Sequence, residues 1–272
     1  MIFYDGHNFV DGGLSLPVDG AAFRYGISFF ETLLWDGDHV CQLEAHCARI
    51  HASLRTFGYA YDAPDYAQLL TELAKRNGFG GKSGRLNIIY AVREGLGVTQ
   101  TMRPVLTIAP YTIAPAETVQ KLCFCPQVHQ SWLAAHKTAN YLPYIHAHQQ
   151  ANAAGFDDAI LLTADGYVLE SSSSALCFFD GEQYISPLAP PESGAAILPS
   201  TALASVRDML HPVFRPVHRS ELANFQHVYV LNSLRAMLAV SQIEGHDFAI
   251  DVTPCAPARA FIHSPDQNFL LD

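Results

Sequence analysis

The sequence predicts an α+β fold in two domains, residues 1–112 and 113–272. Three observations point to it. Short apolar runs flank Asp-Gly turns near the start. Helical patterns alternate with strands through the first half. A Pro/Ala-rich stretch from Pro110 to Glu117 then separates that half from a second one with its own alternation. With 272 residues, 49% of them hydrophobic, there is enough apolar material for a sizeable core.

In chain order, Ile2 to Tyr4 and Asn8 to Val10 flank Asp5-Gly6, and Phe29 to Trp35 and His39 to Leu43 flank Asp36-Gly37-Asp38, so both pairs read as hairpins. From Glu44 to Phe57 the apolar positions Ala45, Ala48, Ile50, Ala52, Leu54 and Phe57 approximate helical spacing, and Gly58 supplies a stop. A second helix runs from near Pro64 to Gly78 with Tyr66, Leu69, Leu70 and Leu73 inward. Strands follow at Leu86 to Val92 and Val105 to Ile108. The second half reads as a strand at Val119 to Cys125, a helix from Pro143 to Ala154 stopped by Gly155, and strands at Ala159 to Leu162 and Leu176 to Phe179. A helix after Pro199, a buried strand at Val228 to Leu231 and a last hairpin within Ile243 to Ile250 complete it. The tail from Asp251 to Asp272, with three prolines and little periodicity, is assigned no structure.

Composition excludes several function classes. A net charge of −10, from 16 basic and 26 acidic residues, argues against a nucleic-acid partner, because phosphates demand a basic face. No apolar run reaches the roughly 18 residues of a membrane span, and Met1 to Gly6 lacks the basic start of a signal peptide. Six cysteines without C-x-x-C spacing fit reduced, buried thiols in a cytoplasm better than disulfides or zinc. His146 and His148 are two apart on a predicted helix and point to different sides, so no metal is expected there or elsewhere.

The chemistry concentrates between Lys137 and Leu176. Lys137-Thr138-Ala139-Asn140-Tyr141-Leu142 precedes a helix, Asp158-Ala159-Ile160-Leu161-Leu162 forms a buried strand, and Asp165-Gly166 turns into Tyr167-Val168-Leu169-Glu170 and four serines. An amine can condense with an aldehyde only when unprotonated, and a carboxylate facing a pyridine nitrogen keeps that nitrogen protonated. These motifs, with the Ala151-x3-Gly155 helix between them, resemble the fold-type IV pyridoxal-phosphate enzymes. That family holds branched-chain and D-amino-acid aminotransferases and aminodeoxychorismate lyase. Tyr25-Gly26-x-x-Phe29-Phe30-Glu31-Thr32 extends the resemblance towards the N-terminus.

The resemblance implies a smaller N-terminal α/β sandwich and a larger C-terminal pseudo-barrel domain. It also implies a Schiff base on Lys137 and Glu170 against the ring nitrogen. His46-Cys47-Ala48-Arg49-Ile50 matches the family's His-x-x-Arg pattern and assigns Arg49 to the cofactor phosphate. Ile197-Leu198-Pro199-Ser200-Thr201 matches a Leu-Pro-Gly-x-Thr turn and assigns Ser200 and Thr201 to the same phosphate. Ser200 stands in place of Gly, and strain is expected if the position needs a positive φ. Other departures are Ile27-Ser28 for Asp-Gly, Ala21 and Leu203 for Arg, and Ala175 for Asn.

Asn232-Ser233-Leu234 resembles the lyases' Asn-Ser-Leu turn, which adds Asn232 and Ser233 to the cofactor-binding set. It also tilts the reading towards conversion of 4-amino-4-deoxychorismate to 4-aminobenzoate and pyruvate, a step of folate biosynthesis. D-amino-acid or branched-chain transamination is the alternative, and a degenerate, non-catalytic cofactor-binding protein is another. On the substrate side stand Phe30, Arg93 and Arg235, the two arginines as cations for a dicarboxylate in an acidic chain. The resemblance further implies a small-molecule amino substrate and a homodimer, and the cysteine usage adds the expectation of a cytoplasmic protein.

Overall fold

A computed structural model describes residues 1–96 and 101–265, so Gly97 and the last residues of the tail lie outside the described residues. Two compact units emerge. Met1–Ile113 with His136–Asn140 and residues 263–265 form the first, and Ala114–Ala135 with Tyr141–Ile262 the second. No helix among the described residues is long and apolar enough to cross a membrane.

The first unit contains β1 (Ile2–Tyr4), β2 (Phe9–Asp11), α1 (Ala21–Tyr25), β3 (Ser28–Trp35), α2 (Leu43–Thr56), α3 (Tyr66–Arg76), β4 (Gly84–Ala91) and β5 (Pro104–Pro110). Its antiparallel sheet has the order β2-β1-β5-β4-β3. Alternation along the strands sends Leu33, Trp35, Leu86, Ile88 and Leu106 to a core shared with Ile50 and Leu54 of α2 and Leu70 and Leu73 of α3. Each fully buried leucine there is worth roughly 1.5–3 kcal/mol. Asp65, not Pro64, starts α3, its carboxylate accepting the Gln68 N–H.

The predicted return strand from His39 to Leu43 is reduced to a single bridge, Trp35 to Val40. The reason is local. Asp36 accepts the Asp38 and His39 N–H groups, which tightens the turn, and α2 begins at Leu43. Gln42 stands before it in the left-handed region at φ 53°, held by its N–H and amide to the Ser264 carbonyl and hydroxyl. The neighbouring Cys41 thiol donates to the His263 carbonyl.

The second unit contains β6 (Val119–Val128), α4 (Leu142–Ala153), β7 (Asp158–Leu162), β8 (Val168–Ser171), β9 (Ala175–Phe179), β10 (Tyr184–Pro187), α5 (Thr201–Ser205), α6 (Arg207–Leu210), β11 (Val213–Arg215), β12 (His227–Asn232), β13 (Ala236–Ile243), β14 (His246–Asp247) and α7 (Cys255–Ile262). The sheet path is β11-β10-β9-β12-β13-β6-β7-β8, with β14 on β13. Val168 of β8 donates its N–H to the Val217 carbonyl just beyond β11, so the two ends of the path meet and the sheet curls into a pseudo-barrel. Both faces are buried. Val228, Val230, Leu238 and Val240 point to one apolar cluster, while Tyr229, Leu231, Met237 and Ala239 meet α5, α6 and α7 on the other.

Helix α7 overturns the structureless tail. Its inward positions Cys255, Ala258 and Ile262 recur with helical spacing, but two are small and Pro254 and Pro257 sit among them, which hid the apolar stripe. Pro257 lies in the first turn, where a missing N–H costs nothing.

Candidate active site

In the first unit, residues 136–140 lie against β3, although the linear division puts them in the second domain. Thr138 bridges Phe29, the Phe30 N–H donates to the Lys137 carbonyl at 2.9 Å, and the Ala139 N–H donates to Ser28 at 2.9 Å. His136 joins α2, its Nδ1 lying 3.0 Å from the Ser53 hydroxyl. Lys137 is thereby fixed by its backbone on both sides. Its Nζ lies 4.7 Å from the centroid of the Phe30 ring, so the structure brings these two predicted residues together.

Alternation on β3 turns Glu31 the other way, towards α2. There it meets His46 and Arg49, which share one helix face at i, i+3. Arg49 donates from Nε and Nη2 to the two Glu31 oxygens at 2.7 and 2.5 Å, and His46 Nδ1 donates to Oε2 at 2.7 Å. All three are buried. Burial raises the Glu31 carboxyl pKa, but the Arg49 charge and the hydrogen bonds from Arg49 and His46 outweigh it and hold the pKa at about 2. Burial also dominates at His46 and lowers its pKa, against the attraction of Glu31. A buried carboxylate thus aims the guanidinium assigned to phosphate. Neither Glu31 nor His46 was singled out for this from sequence, although both stand inside the quoted motifs.

In the second unit Glu170 lies near the end of β8, only 6% exposed. Tyr144, in the first turn of α4, donates its hydroxyl towards Glu170 Oε1 at 3.3 Å, and His129 Nε2 lies 3.0 Å from the same hydroxyl. The Tyr141 ring stacks on Tyr144 with centroids 4.6 Å apart at 14°. Neither Tyr144 nor His129 stands out in the sequence.

The serines after Glu170 are organised by Asp158, at the start of β7. It accepts the hydroxyls of Ser171 at 2.8 Å, Ser173 at 2.7 Å and also Ser172, together with the Ala159 N–H. Burial raises the Asp158 pKa, yet the bonds from His148 and the serines hold it at about 2. Arg235 reaches the Ser173 and Ser174 hydroxyls at 2.8 and 3.1 Å and Gln120 Oε1 at 3.2 Å, and lies 3.8 Å from Asp158. Asn232 donates to the Ser174 hydroxyl and accepts the Leu234 and Arg235 N–H groups, which closes the turn between β12 and β13.

Ser200 has φ −81° and ψ 118°, so the feared strain is absent. It is the N-cap of α5, with its hydroxyl accepting the Leu203 N–H at 3.1 Å, an extended role that Ser favours. Thr201 Oγ1 lies 3.1 Å from Ser233 Oγ, uniting two predicted residues from separate loops. Leu203 and Ala175 are buried in the apolar cluster behind them, so these departures serve packing. Arg93 donates to the Asp5 carbonyl at 2.7 Å. Among potential metal donors, Asp36, His39 and Cys41 cluster on the turn after β3, with His39 Nδ1 3.0 Å from Asp36 Oδ2.

The model of the family described as amino-transferase class IV matches residues 28–243. No curated protein sequence matches. Among solved structures, the chain resembles a branched-chain aminotransferase from Thermoproteus uzoniensis with norvaline. The TM-score is 0.83 at 19% identity, over 96% of this chain and 94% of that one. A Legionella pneumophila protein provisionally named a 4-amino-4-deoxychorismate lyase gives 0.80 at 20% identity, over 91% and 94%. The PLP-bound form of a hypothetical aminotransferase from Mycobacterium tuberculosis gives 0.78 at 20%, over 96% of each chain. The family match takes in β3, α2, the Lys137 segment, Glu170 with its serine run and the Asn232 turn. The chain belongs to the class IV aminotransferase family.

Proposed function

We propose that this is a pyridoxal-phosphate-dependent lyase that converts 4-amino-4-deoxychorismate to 4-aminobenzoate and pyruvate. The donor set suits the cofactor. Lys137 offers an amine to the aldehyde, Glu170 a buried carboxylate to the ring nitrogen, and Arg49, Ser200, Thr201 and Ser233 a guanidinium and hydroxyls to the phosphate. When bound, pyridoxal phosphate supplies an electron sink for the charge left by a departing proton.

Lys137 is the base of this reading. Its amine takes the proton from the amine-bearing ring carbon. The neighbouring C–O bond then breaks, enolpyruvate leaves with the electron pair and takes up a proton to become pyruvate, and the ring aromatises without any oxidant. The observation that favours the lyase over transamination is the Asn232-Ser233-Leu234 turn, whose Asn232 holds both the serine run and its own backbone. The likeness to the Legionella protein accords with it.

Branched-chain or D-amino-acid transamination is the second reading, favoured by the Thermoproteus likeness. The same proposal includes a cytoplasmic homodimer, and size-exclusion chromatography tests its assembly. The deciding experiment incubates purified, pyridoxal-phosphate-loaded protein separately with aminodeoxychorismate, D-alanine and leucine. Release of 4-aminobenzoate and pyruvate in equal amounts is expected. Brisk transamination without that release would replace the lyase by the second reading.

A further inference from the structure

We infer that Tyr144, held by His129, is a positioning residue for Glu170, fixing the carboxylate that meets the cofactor's ring nitrogen; this rests on the pyridoxal-phosphate reading above. A carboxylate as buried as Glu170 is costly unless hydrogen-bonded, and its orientation decides whether it can serve a planar ring. Tyr144 reaches Oε1 at 3.3 Å. That is longer than the ~2.7 Å typical of a neutral hydroxyl bond, so the contact aims the carboxylate more than it grips it.

The phenol itself has little freedom. It has a single proton, which points to Glu170, so its oxygen must accept from His129 Nε2 at 3.0 Å. That fixes the imidazole with a proton on Nε2. Burial lowers the His129 pKa and so favours the neutral ring. The His129 backbone N–H is tied to the Leu162 carbonyl of β7, and its ring packs edge-on against Tyr144 at 4.7 Å and 66°. Tyr141 covers Tyr144 by stacking. Burial, and then the Glu170 charge, push the phenol well above the ordinary tyrosine range, so it stays a donor at every physiological pH. The three side chains come from the loop after β6, from α4 and from β8, and form one hydrogen-bonded chain: imidazole to phenol to carboxylate.

The test titrates full-length, cofactor-stripped protein with two probes, pyridoxal phosphate and deazapyridoxal phosphate, in which carbon replaces the ring nitrogen. Tyr144→Phe should weaken binding of pyridoxal phosphate by roughly tenfold, the scale of a lost hydrogen bond to a charged group. Binding of the deaza compound should change by less than about twofold, because its ring has no N–H for the Glu170 carboxylate to accept. His129→Leu should match Tyr144→Phe, and His129→Gln, whose amide still donates, should restore most of the affinity. Adding His129→Leu to Tyr144→Phe should cost nothing further, since His129 acts through Tyr144. Equal losses for both probes would reduce Tyr144 to a packing residue and overturn the inference, as would unchanged affinity in Tyr144→Phe. A wild-type protein that binds no pyridoxal phosphate would overturn the family-based reading and this inference together.

Discussion

Glu31 grips Arg49 through both carboxylate oxygens, at 2.7 and 2.5 Å, with Glu31 fully buried and Arg49 only 9% exposed. Such a pair is weak evidence of net stability, but breaking it leaves an uncompensated buried charge. Glu31→Gln and Arg49→Ala should therefore each lose about 3–5 kcal/mol in urea unfolding. A Glu31→Gln/Arg49→Met double variant should be more stable than either. Arg49→Ala should also weaken pyridoxal-phosphate affinity more than it slows the saturated enzyme, and unchanged affinity would remove Arg49 from the phosphate.

Acid should unfold the protein through the same kind of group. Glu31 and Asp158 have folded pKa values of about 2, below their ordinary values of 4.5 and 3.8. A depressed carboxyl stabilises the fold fully above its unfolded pKa and loses that contribution as pH falls through the folded one. Between roughly pH 5 and 2 the melting temperature should fall steeply, each group giving up on the order of 2–3 kcal/mol. Asp158→Asn should lower stability at pH 7 and flatten the acid limb. A melting curve series parallel to wild type across that range would contradict the assignment.

Borohydride reduction of the yellow protein, followed by peptide mapping, should place the cofactor on Lys137. The structural reason is the pinned backbone of residues 136–139 and the amine set over Phe30. Label on Lys75, Lys82 or Lys121 would sink the idea.

Glu170→Gln should keep the cofactor but lose most turnover, since a neutral amide no longer favours a protonated ring nitrogen. Stopped assays at saturating cofactor read the loss directly, and wild-type activity would take Glu170 out of the chemistry.

The two substrate-side arginines should separate. Arg93 donates to the Asp5 backbone carbonyl, so Arg93→Ala should raise KM for aminodeoxychorismate and leave cofactor affinity alone. Arg235 also ties Ser173, Ser174 and Gln120 together, so Arg235→Ala should raise KM and weaken cofactor binding as well. Identical profiles for the two variants would refute the distinction.

Lys137 and Glu170 can be named as candidates from sequence because each sits in a compact motif, and Arg49 because its helix carries a short pattern. What escaped depends on register between distant segments. Asp158 stands in a quoted motif, but its hold on Ser171, Ser172 and Ser173 exists only once β8 folds back on β7. His129 and Tyr144 meet only after α4 packs on the sheet. The worry over Ser200 came from equating a motif position with one backbone angle, whereas a side-chain cap permits an ordinary one. Helix α7 was lost to its prolines and small inward residues.

The chain passes between its two units after Ile113, Ala135, Asn140 and Ile262. A ribosome that has delivered Ile113 has not yet delivered everything the first unit uses. The segment that lies on β3 comes more than twenty residues later, and the carbonyl that receives the Gln42 N–H ahead of α2 belongs to Ser264. The helix carrying His46 and Arg49 thus receives this backbone partner only after the second unit has been made through Ile262, so the unit that contains that helix is completed after the other.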